Sequence, residues 1–463
     1  MSLTSLVFVA AFVVGSVLAL VRHPIYGLLV YIASLYFDPA GHWWGSGALS
    51  AIRWEFVAAA VTLAAMFIHR GRLPRSPLYR SGAFWGFVSY VVWIAIQSGW
   101  ALDTASHQQL LTTWLKFLVV MVLICGCVDS WRNFRLVLWA QVIGCAYLGW
   151  LAFSTYTGGR FQGFADNALG EANYAALELV IGLIIAASLF LAGQWRTKAV
   201  LLAPAALIAD AIVTTVSRSG FLAAAVSLVA FNLFTPKRMR ARVGLLSLLA
   251  VALFLSLTTA NYWSRIQTIK YEGADVAGVD TGGGRLDIVK GQLQMFELHP
   301  FGCGAMCTNI LSPQFIPSQY LVGGQRSSHN TFMSMLVNHG VPGGILYLLL
   351  LVWIYRTLRR AARYSAASSG DTEGERFAAV ILPALAAVMV AIVVGDLFVE
   401  YPKLEARVWF VALLISYVHL RELDSVREEA ISGAEIEAPA AAVLLDAAGH
   451  RLQHLAGTRH PAS

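Results

Sequence analysis

Charge is scarce in this sequence. Only 13% of the 463 residues are Asp, Glu, Lys or Arg, while 58% are hydrophobic. Those proportions exclude an ordinary soluble domain and place most of the chain in lipid. Cysteine is also sparse, and the five present form no metal pattern. Cys125, Cys127 and Cys145 lie in or beside apolar runs and read as core. Cys303 and Cys307 fall in a polar stretch, and their spacing leaves a disulfide open. No GxxxxGK[ST] occurs, so nucleotide phosphates are not gripped by a P-loop. The carboxylates Asp166, Glu171, Asp275, Asp280 and Asp287 show no HExxH or DxD spacing, so neither a metal nor another cofactor is expected. The first apolar run lacks a basic n-region and a small-residue cleavage site, so no cleavable signal peptide is expected. The net charge of +7 sits in short loops between apolar segments, which argues against a nucleic-acid partner.

What the chain does have is apolar runs of spanning length. A helix needs about 20 apolar residues to cross a bilayer. Candidate spans are 3–21, 24–37, 54–69, 82–100, 110–128, 136–154, 174–191, 199–216, 220–234, 243–259, 344–355, 377–399 and 408–420. The first two share only Arg22 and His23 as a turn and could form a shallow hairpin. The fold class expected is therefore all-α, a polytopic membrane protein of about 12 transmembrane helices. Fourteen Trp and sixteen Tyr suit an interfacial belt.

Arginine and lysine set the orientation. Arg70, Arg72, Arg75 and Arg80 share one loop; Lys237, Arg238, Arg240 and Arg242 another; Arg356, Arg359, Arg360 and Arg363 a third. The smaller loops with Arg132 and Arg135, and with Arg196 and Lys198, fall on the same side when the spans alternate. That side is cytoplasmic by the positive-inside rule, and in a bacterial cell the opposite side would be the periplasm. The expected organisation is a transmembrane bundle over 1–259, a large periplasmic loop over 260–343, C-terminal transmembrane helices over 344–420, and a cytoplasmic tail over 421–463.

The long loop is patterned rather than random. Leu286, Val289, Leu293 and Phe296 recur at helical spacing over 285–298, and His299-Pro300 ends that helix. Phe332, Met335 and Leu336 mark a second short helix over 331–338. Between them, 302–324 is rich in Gly, Pro and Ser and reads as irregular.

Five arginines fall on the outer side near segment ends: Arg160, Arg218, Arg265, Arg285 and Arg326. Arg326 reads as a solvated charge. Arg218 lies in a turn too short to be a solvated loop, between two apolar spans, where an ionisable residue is a functional candidate. Ser217-Arg218-Ser219-Gly220, Gly283-Gly284-Arg285 and Asn173-Tyr174 each open a helix. Helix N-termini offer unpaired N–H groups and partial positive charge, and arginine adds a planar fork for phosphate oxygens. Together they would make a pyrophosphate cradle. His329 follows Ser327-Ser328, either of which could cap its helix. A helix start and nearby arginines favour neutral imidazole, the form a general base needs. His299 and His339 read as structural or solvated. Lys116, Glu178, Asp210 and Asp396 lie inside spans, as structural pairs or in a wet pocket.

These residues resemble the O-antigen ligase family, part of the O-antigen ligase/polymerase superfamily of membrane glycosyltransferases. His329-Asn330, nine residues and Gly340 match the family's histidine motif. Arg218-Ser219-Gly220 opening a span, Arg285 ahead of HPFGCG, and Arg160 with Asn173 are similar to further family segments, over about 155–350. The resemblance implies a GT-C-like build and an inverting, metal-independent transfer in lipopolysaccharide assembly at the inner membrane, with the active site facing the periplasm. The donor would be a glycan on undecaprenyl pyrophosphate, and the acceptor a sugar hydroxyl of lipid A–core. His329, Arg218 and Arg285 would be catalytic. Arg160, Arg218, Arg265, Arg285 and Asn330 would bind the donor. O-antigen polymerases and protein O-oligosaccharyltransferases, including those that accompany exosortase systems, share the architecture and differ in acceptor. A lipid-linked glycan transporter without chemistry would show paired broken helices and internal repeats near mid-membrane; no clear repeat is present.

The alternation of basic loops makes a topological prediction. Single cysteines placed within 276–281 should react with a membrane-impermeant maleimide in cells whose outer membrane is permeabilised, and a cysteine at position 463 should not. The reverse pattern would invert the orientation.

Overall fold

A computed structural model describes residues 2–45, 47–155, 160–163, 170–258, 263, 285–367, 373–400 and 404–426, without the side chains of 285 and 364–367. It divides into two compact units, 1–416 and 417–463. The described part of the second, 417–426, is helical.

The described residues of the first unit form helices joined by turns and loops, and no strand occurs among them. Its helices are α1 (Leu3–Val21), α2 (Ile25–Tyr36), α3 (Trp54–Ile68), α4 (Gly82–Gln97), α5 (Thr104–Cys127), α6 (Trp131–Thr155) and α7 (Ala172–Ala192). There follow α8 (Trp195–Thr214), α9 (Arg218–Phe234), α10 (Arg240–Leu257), α11 (Arg285–Leu298), α12 (Cys307–Phe315), α13 (Thr331–Ala367) and α14 (Glu373–Asp396). A last helix begins at 405. Among the described residues, eight helices are long and apolar enough to cross a membrane, which makes this a polytopic membrane protein. Four shorter apolar helices, among them α3, α4 and α9, accompany them. All thirteen apolar runs read from the sequence fall on helices.

Burial sorts the helices. α14 is enclosed nearly all round, from Phe377 to Met389, as a helix apolar on every face must be when it sits at the centre. It packs against α9 and α7. α10 buries only Val243, so its leucines face what surrounds the bundle. With lipid outside, contacts between helices depend on close approach rather than on hydrophobicity. Gly149 of α6 shows this: a Cβ there would lie 2.6 Å from the Leu207 carbonyl oxygen of α8. Two carboxylates inside the spans are partnered. The Glu178 carboxylate accepts the Tyr36 hydroxyl at 2.5 Å and the Gln141 amide at 2.6 Å. The Asp396 carboxylate accepts from the Arg407 guanidinium and the Tyr347 hydroxyl, with both ions almost wholly enclosed.

α13 decides where the site lies. It breaks at Gly340, whose φ of 67° and ψ of −165° are closed to residues with a Cβ. A Cβ would also come within 2.3 Å of the Phe301 carbonyl carbon. The break leaves carbonyls without helical partners, and these are met one by one. The Asn338 carbonyl accepts Gln97 Nε2 at 3.2 Å and Gly304 N–H at 2.9 Å. The His339 carbonyl accepts Trp93 Nε1 at 2.8 Å. The strap 299–304 closes over the break, with Val341 N–H donating to the Pro300 carbonyl at 2.8 Å. The end of α4 and the turn between α4 and α5 hold the strap from the other side. Gln97 donates to the Phe301 carbonyl (2.9 Å), Trp100 Nε1 to the Gly302 carbonyl (2.9 Å), and Leu102 N–H to the Cys303 carbonyl (3.0 Å).

Beyond the strap, α11, α12 and the start of α13 form a small lobe around Ile288, Met295, Cys307, Leu311 and Val337. Cys303 and Cys307 are joined as a disulfide. Two expectations are corrected here. The stretch 302–324 is not wholly irregular, since 307–315 is α12. Its nine residues, Pro313 among them, are too few to show a helical period. In α11 the helix stands as expected but turns the other face inward. Ile288, Gly291, Gln292 and Met295 are buried, while Leu286 and Leu293 are exposed. Gly291 explains the rotation, because it lets α11 approach the Phe315 carbonyl to where a Cβ would stand 2.7 Å away.

Gly340→Ala combines a forbidden backbone with a clash against backbone, so it should fail to fold or lose more than about 3 kcal/mol. Thermal unfolding in detergent followed by intrinsic tryptophan fluorescence measures this. A near-normal transition would show that the break relaxes freely.

Candidate functional site

Three helix starts meet at the end of the bundle that carries the strap. The first is α9. Ser217 caps it, its hydroxyl accepting Gly220 N–H at 3.1 Å, and Arg218 is the first helical residue. The turn before it is tight, with Val216 at φ 47°. Gly220 seats α9 against α7, where a Cβ would press on Ala176 at 2.6 Å.

The second start is α7, capped by Glu171, whose carboxylate accepts the N–H groups of Asn173 (3.2 Å) and Tyr174 (3.3 Å). The same carboxylate takes Asn173 Nδ2 at 2.6 Å. That contact turns Asn173 Oδ1 toward α9, where it accepts Ser217 Oγ at 2.7 Å and Arg160 Nη2 at 2.7 Å. Arg160 Nε donates to the Thr215 carbonyl at 2.9 Å. Arg160 thus ties the turn ahead of Arg218 to the start of α7. With these two donors engaged within the protein, its geometry is that of a brace.

The third start is α13. Asn330 is its cap: Oδ1 accepts Met333 N–H at 3.0 Å. Neither serine takes that role. The Ser328 hydroxyl donates to the Asn330 carbonyl at 2.8 Å, and Ser327 Oγ lies 3.0 Å from His329 Nε2. Asn330 stands at the right offset, which leaves His329 just outside the helix rather than in its first turn. His329 has φ 47°, in the left-handed region. Such a conformation costs a non-glycine residue about 1–2 kcal/mol and persists only where its surroundings enforce it, which is common at functional sites.

The segment 397–400 joins these starts. Asn330 Nδ2 donates to the Leu397 carbonyl at 3.2 Å and Thr331 Oγ1 to the Val399 carbonyl at 2.9 Å. The Ser334 hydroxyl donates to Glu400 Oε1 at 2.5 Å. The Glu400 carbonyl accepts the Tyr174 hydroxyl at 2.9 Å. A continuous chain of contacts therefore runs from the residue after His329, through 397–400 and α7, to the turn that presents Arg218.

Of the residues singled out from the sequence, the structure connects Arg160, Arg218, His329 and Asn330 in this frame. Arg265 lies outside the described residues. Arg285 opens α11, and its side chain lies outside them too. Arg326 is only 3% exposed, which corrects its reading as a solvated charge; its N–H is fixed by Ser312 Oγ at 2.7 Å. His339 is enclosed, and its Nδ1 meets Gln97 Oε1 at 2.8 Å, which marks it as structural. Because the Gln97 amide nitrogen already donates to carbonyls, its oxygen is the acceptor and Nδ1 carries the proton. The sequence reading missed Ser334 and Glu400 as parts of the frame, and used Tyr174 only to mark a helix start. The signal was present: Thr331, Ser334 and Asn338 form a polar stripe at i, i+3 and i+7 of α13, on its buried side.

An all-helical, multi-pass membrane protein whose helix starts converge at one end defines the class. Residues 203–348 match the family model described as O-Antigen ligase, so that stretch is similar to an O-antigen ligase domain. Members of this family are membrane glycosyltransferases, ligases and polymerases among them. Comparison with curated proteins finds no match. The matched stretch holds Arg218, Arg265, Arg285, His329 and Gly340; Arg160, Asn173 and Glu400 lie outside it.

The left-handed backbone at His329 separates stability from function. His329→Gly should leave stability unchanged or raise it by up to about 1 kcal/mol, because glycine enters that region without penalty. If the chain shares the glycosyltransferase chemistry of the matched family, the same variant should lose that activity. Unfolding and activity measured on one preparation check both, and a strongly destabilised His329→Gly would mean the ring's contacts outweigh the strain.

Proposed function

We propose that the chain is an O-antigen ligase that transfers a glycan from undecaprenyl pyrophosphate to a sugar hydroxyl of lipid A–core, with inversion and without a metal. The single observation that carries this reading is the connected frame from His329 to the Arg218 turn, in a chain whose residues 203–348 match this family's model. The orientation follows the basic loops, with the site at the periplasmic face of the inner membrane and about 12 spans in a GT-C-like bundle.

The chemistry then runs as follows. The imidazole of His329 accepts the proton of the acceptor hydroxyl as its oxygen attacks the anomeric carbon. The new C–O bond forms on the face opposite the pyrophosphate, whose C–O bond breaks, so the configuration inverts. Charge grows on the departing pyrophosphate, and Arg218 and Arg285 stabilise it together with the N-terminus of α9. Asn330 helps to place the donor. Arg160 acts through the Arg218 turn as well as through its charge. Arg265 adds a further guanidinium from the long loop.

The test separates binding from chemistry in detergent-purified protein, with lipid-linked glycan and lipid A–core as substrates. Arg218→Ala or Arg285→Ala should weaken donor use by about 1.5–3 kcal/mol, with lysine rescuing only in part because it lacks the bidentate fork. His329→Ala should still bind the donor, while single-turnover transfer falls roughly a hundred- to ten-thousand-fold. His329→Gln should stay impaired if the ring takes a proton. Transfer should continue in excess chelator. Near-normal transfer by His329→Ala would remove the base. Loss in EDTA restored by magnesium would overturn the metal-free route. Transfer to an acceptor protein, or to growing glycan, in place of lipid A–core would reassign the acceptor.

A further inference from the structure

Glu400 stands on the segment between α14 and the last helix, outside the matched family stretch, and the transfer chemistry above does not use it. It nevertheless occupies the point where the two halves of the site are joined. Its Oε1 accepts the Ser334 hydroxyl at 2.5 Å and lies 3.4 Å from Asn338 Nδ2. Ser334 and Asn338 are on the buried polar stripe of α13, three and seven residues beyond Thr331. Its backbone carbonyl takes the Tyr174 hydroxyl at 2.9 Å, next in sequence to Asn173, which holds Ser217 beside Arg218. The two preceding anchors are backbone carbonyls, Leu397 and Val399, that grip Asn330 and Thr331. The segment itself is fixed below by the enclosed Asp396–Arg407 pair, with Arg407 also stacked over the Tyr347 ring at 5.5 Å.

We propose that Glu400 is a positioning residue that sets the separation between His329 and the Arg218 turn, its side chain holding the first turns of α13 and its carbonyl holding α7. The chemical case rests on the character of the contacts. A carboxylate that accepts from a hydroxyl makes a short, strong hydrogen bond, stronger than a neutral acceptor would. Fixed placement matters here because transfer needs the acceptor oxygen, the anomeric carbon and the leaving pyrophosphate in line. A misplacement of about 1 Å can cost two orders of magnitude in rate. The left-handed backbone of His329 supplies the need, since strain of that kind is kept only by an over-determined neighbourhood. This inference rests on the transferase reading in the preceding subsection.

The experiment compares Glu400→Ala, Glu400→Gln, Tyr174→Phe, Ser334→Ala and the Tyr174→Phe/Ser334→Ala double variant in purified full-length protein. Glu400→Ala should lower kcat about 10- to 100-fold while donor KM stays within about threefold. Glu400→Gln keeps an oxygen for Ser334 and should recover to within about threefold, with the pH profile of wild type. Tyr174→Phe and Ser334→Ala act on one segment, so their effects should not multiply in the double variant. A raised donor KM at unchanged kcat would make Glu400 a ligand instead. Glu400→Gln as impaired as Glu400→Ala, with a changed pH profile, would make it a proton carrier. Independent, multiplying effects would break the proposed linkage. Hydrogen exchange without substrate provides the readout that does not depend on activity. Tyr174→Phe should speed exchange both at 331–338 and at 217–221, regions that share no sequence neighbourhood. Exchange altered in neither or only one region would overturn the proposal. Coupled exchange in a wild type that transfers no lipid-linked glycan would place the failure on the transferase reading alone.

Discussion

A helix broken where it is buried must find hydrogen bonds for the carbonyls it frees, because an unpaired polar group there is costly. α13 is broken at Gly340, and much of the described architecture around it consists of donors brought to that point. Trp93 and Gln97 come from α4, Gly304 from the strap, and Val341 closes the return bond to Pro300. Gln97 is the hinge of this arrangement. One amide donates to the Phe301 and Asn338 carbonyls and accepts from His339, with no polar atom to spare. An unpaired buried carbonyl costs about 1–3 kcal/mol. The conformation of the strap and the angle of α13 are therefore fixed together, and the helix start that follows His329 is aimed by a satisfaction rule rather than by apolar packing.

Satisfying the break also explains why the lobe of α11 and α12 can be small. Its apolar cluster, Ile288 to Val337, is modest beside the bundle. It does not have to stabilise the break, since α4 and α5 already do so, and the Cys303–Cys307 disulfide restrains the strap where it enters α12. His107 adds a cross-brace. Its Nδ1 accepts Ala305 N–H at 3.1 Å and its Nε2 meets the Ile94 carbonyl at 2.8 Å, so one ring links the strap to α4 from within α5. The ring must carry its proton on Nε2 to make both contacts.

The bundle was legible because hydrophobicity is a local property of the chain: thirteen apolar runs carried thirteen helical stretches. Arg218 stood out for the same reason, as a charge in a turn too short to be solvated. What escaped was set by tertiary contact. Leu286 and Leu293 mark a helical period in α11, yet the buried face is the one that holds Gly291, because close approach to Phe315 outweighed side-chain size. Arg326 reads as a surface charge until Ser312 is seen folded against its backbone. Asn330 took the cap from Ser327 and Ser328 through its offset to Met333. Glu400 could not be found locally at all, since its partners Ser334 and Tyr174 lie 66 and 226 residues away in sequence.

The frame has a consequence for its own electrostatics. α7, α9 and α13 each turn a helix N-terminus toward the same region, and each end carries partial positive charge of about half a unit. Three such ends would repel one another and draw in carboxylates until neutral. One end, α7, is capped by a carboxylate, Glu171, while α9 and α13 are capped by the neutral Ser217 and Asn330. Of the acids around α13, Asp396 is held by Arg407 and Tyr347, and Glu400 is turned to Ser334 and Asn338, one and two turns along the helix. These carboxylates hold structure, and the starts of α9 and α13 keep uncharged caps. Under the transferase reading, that is where a departing pyrophosphate would gain most, because the field is already oriented before its charge develops.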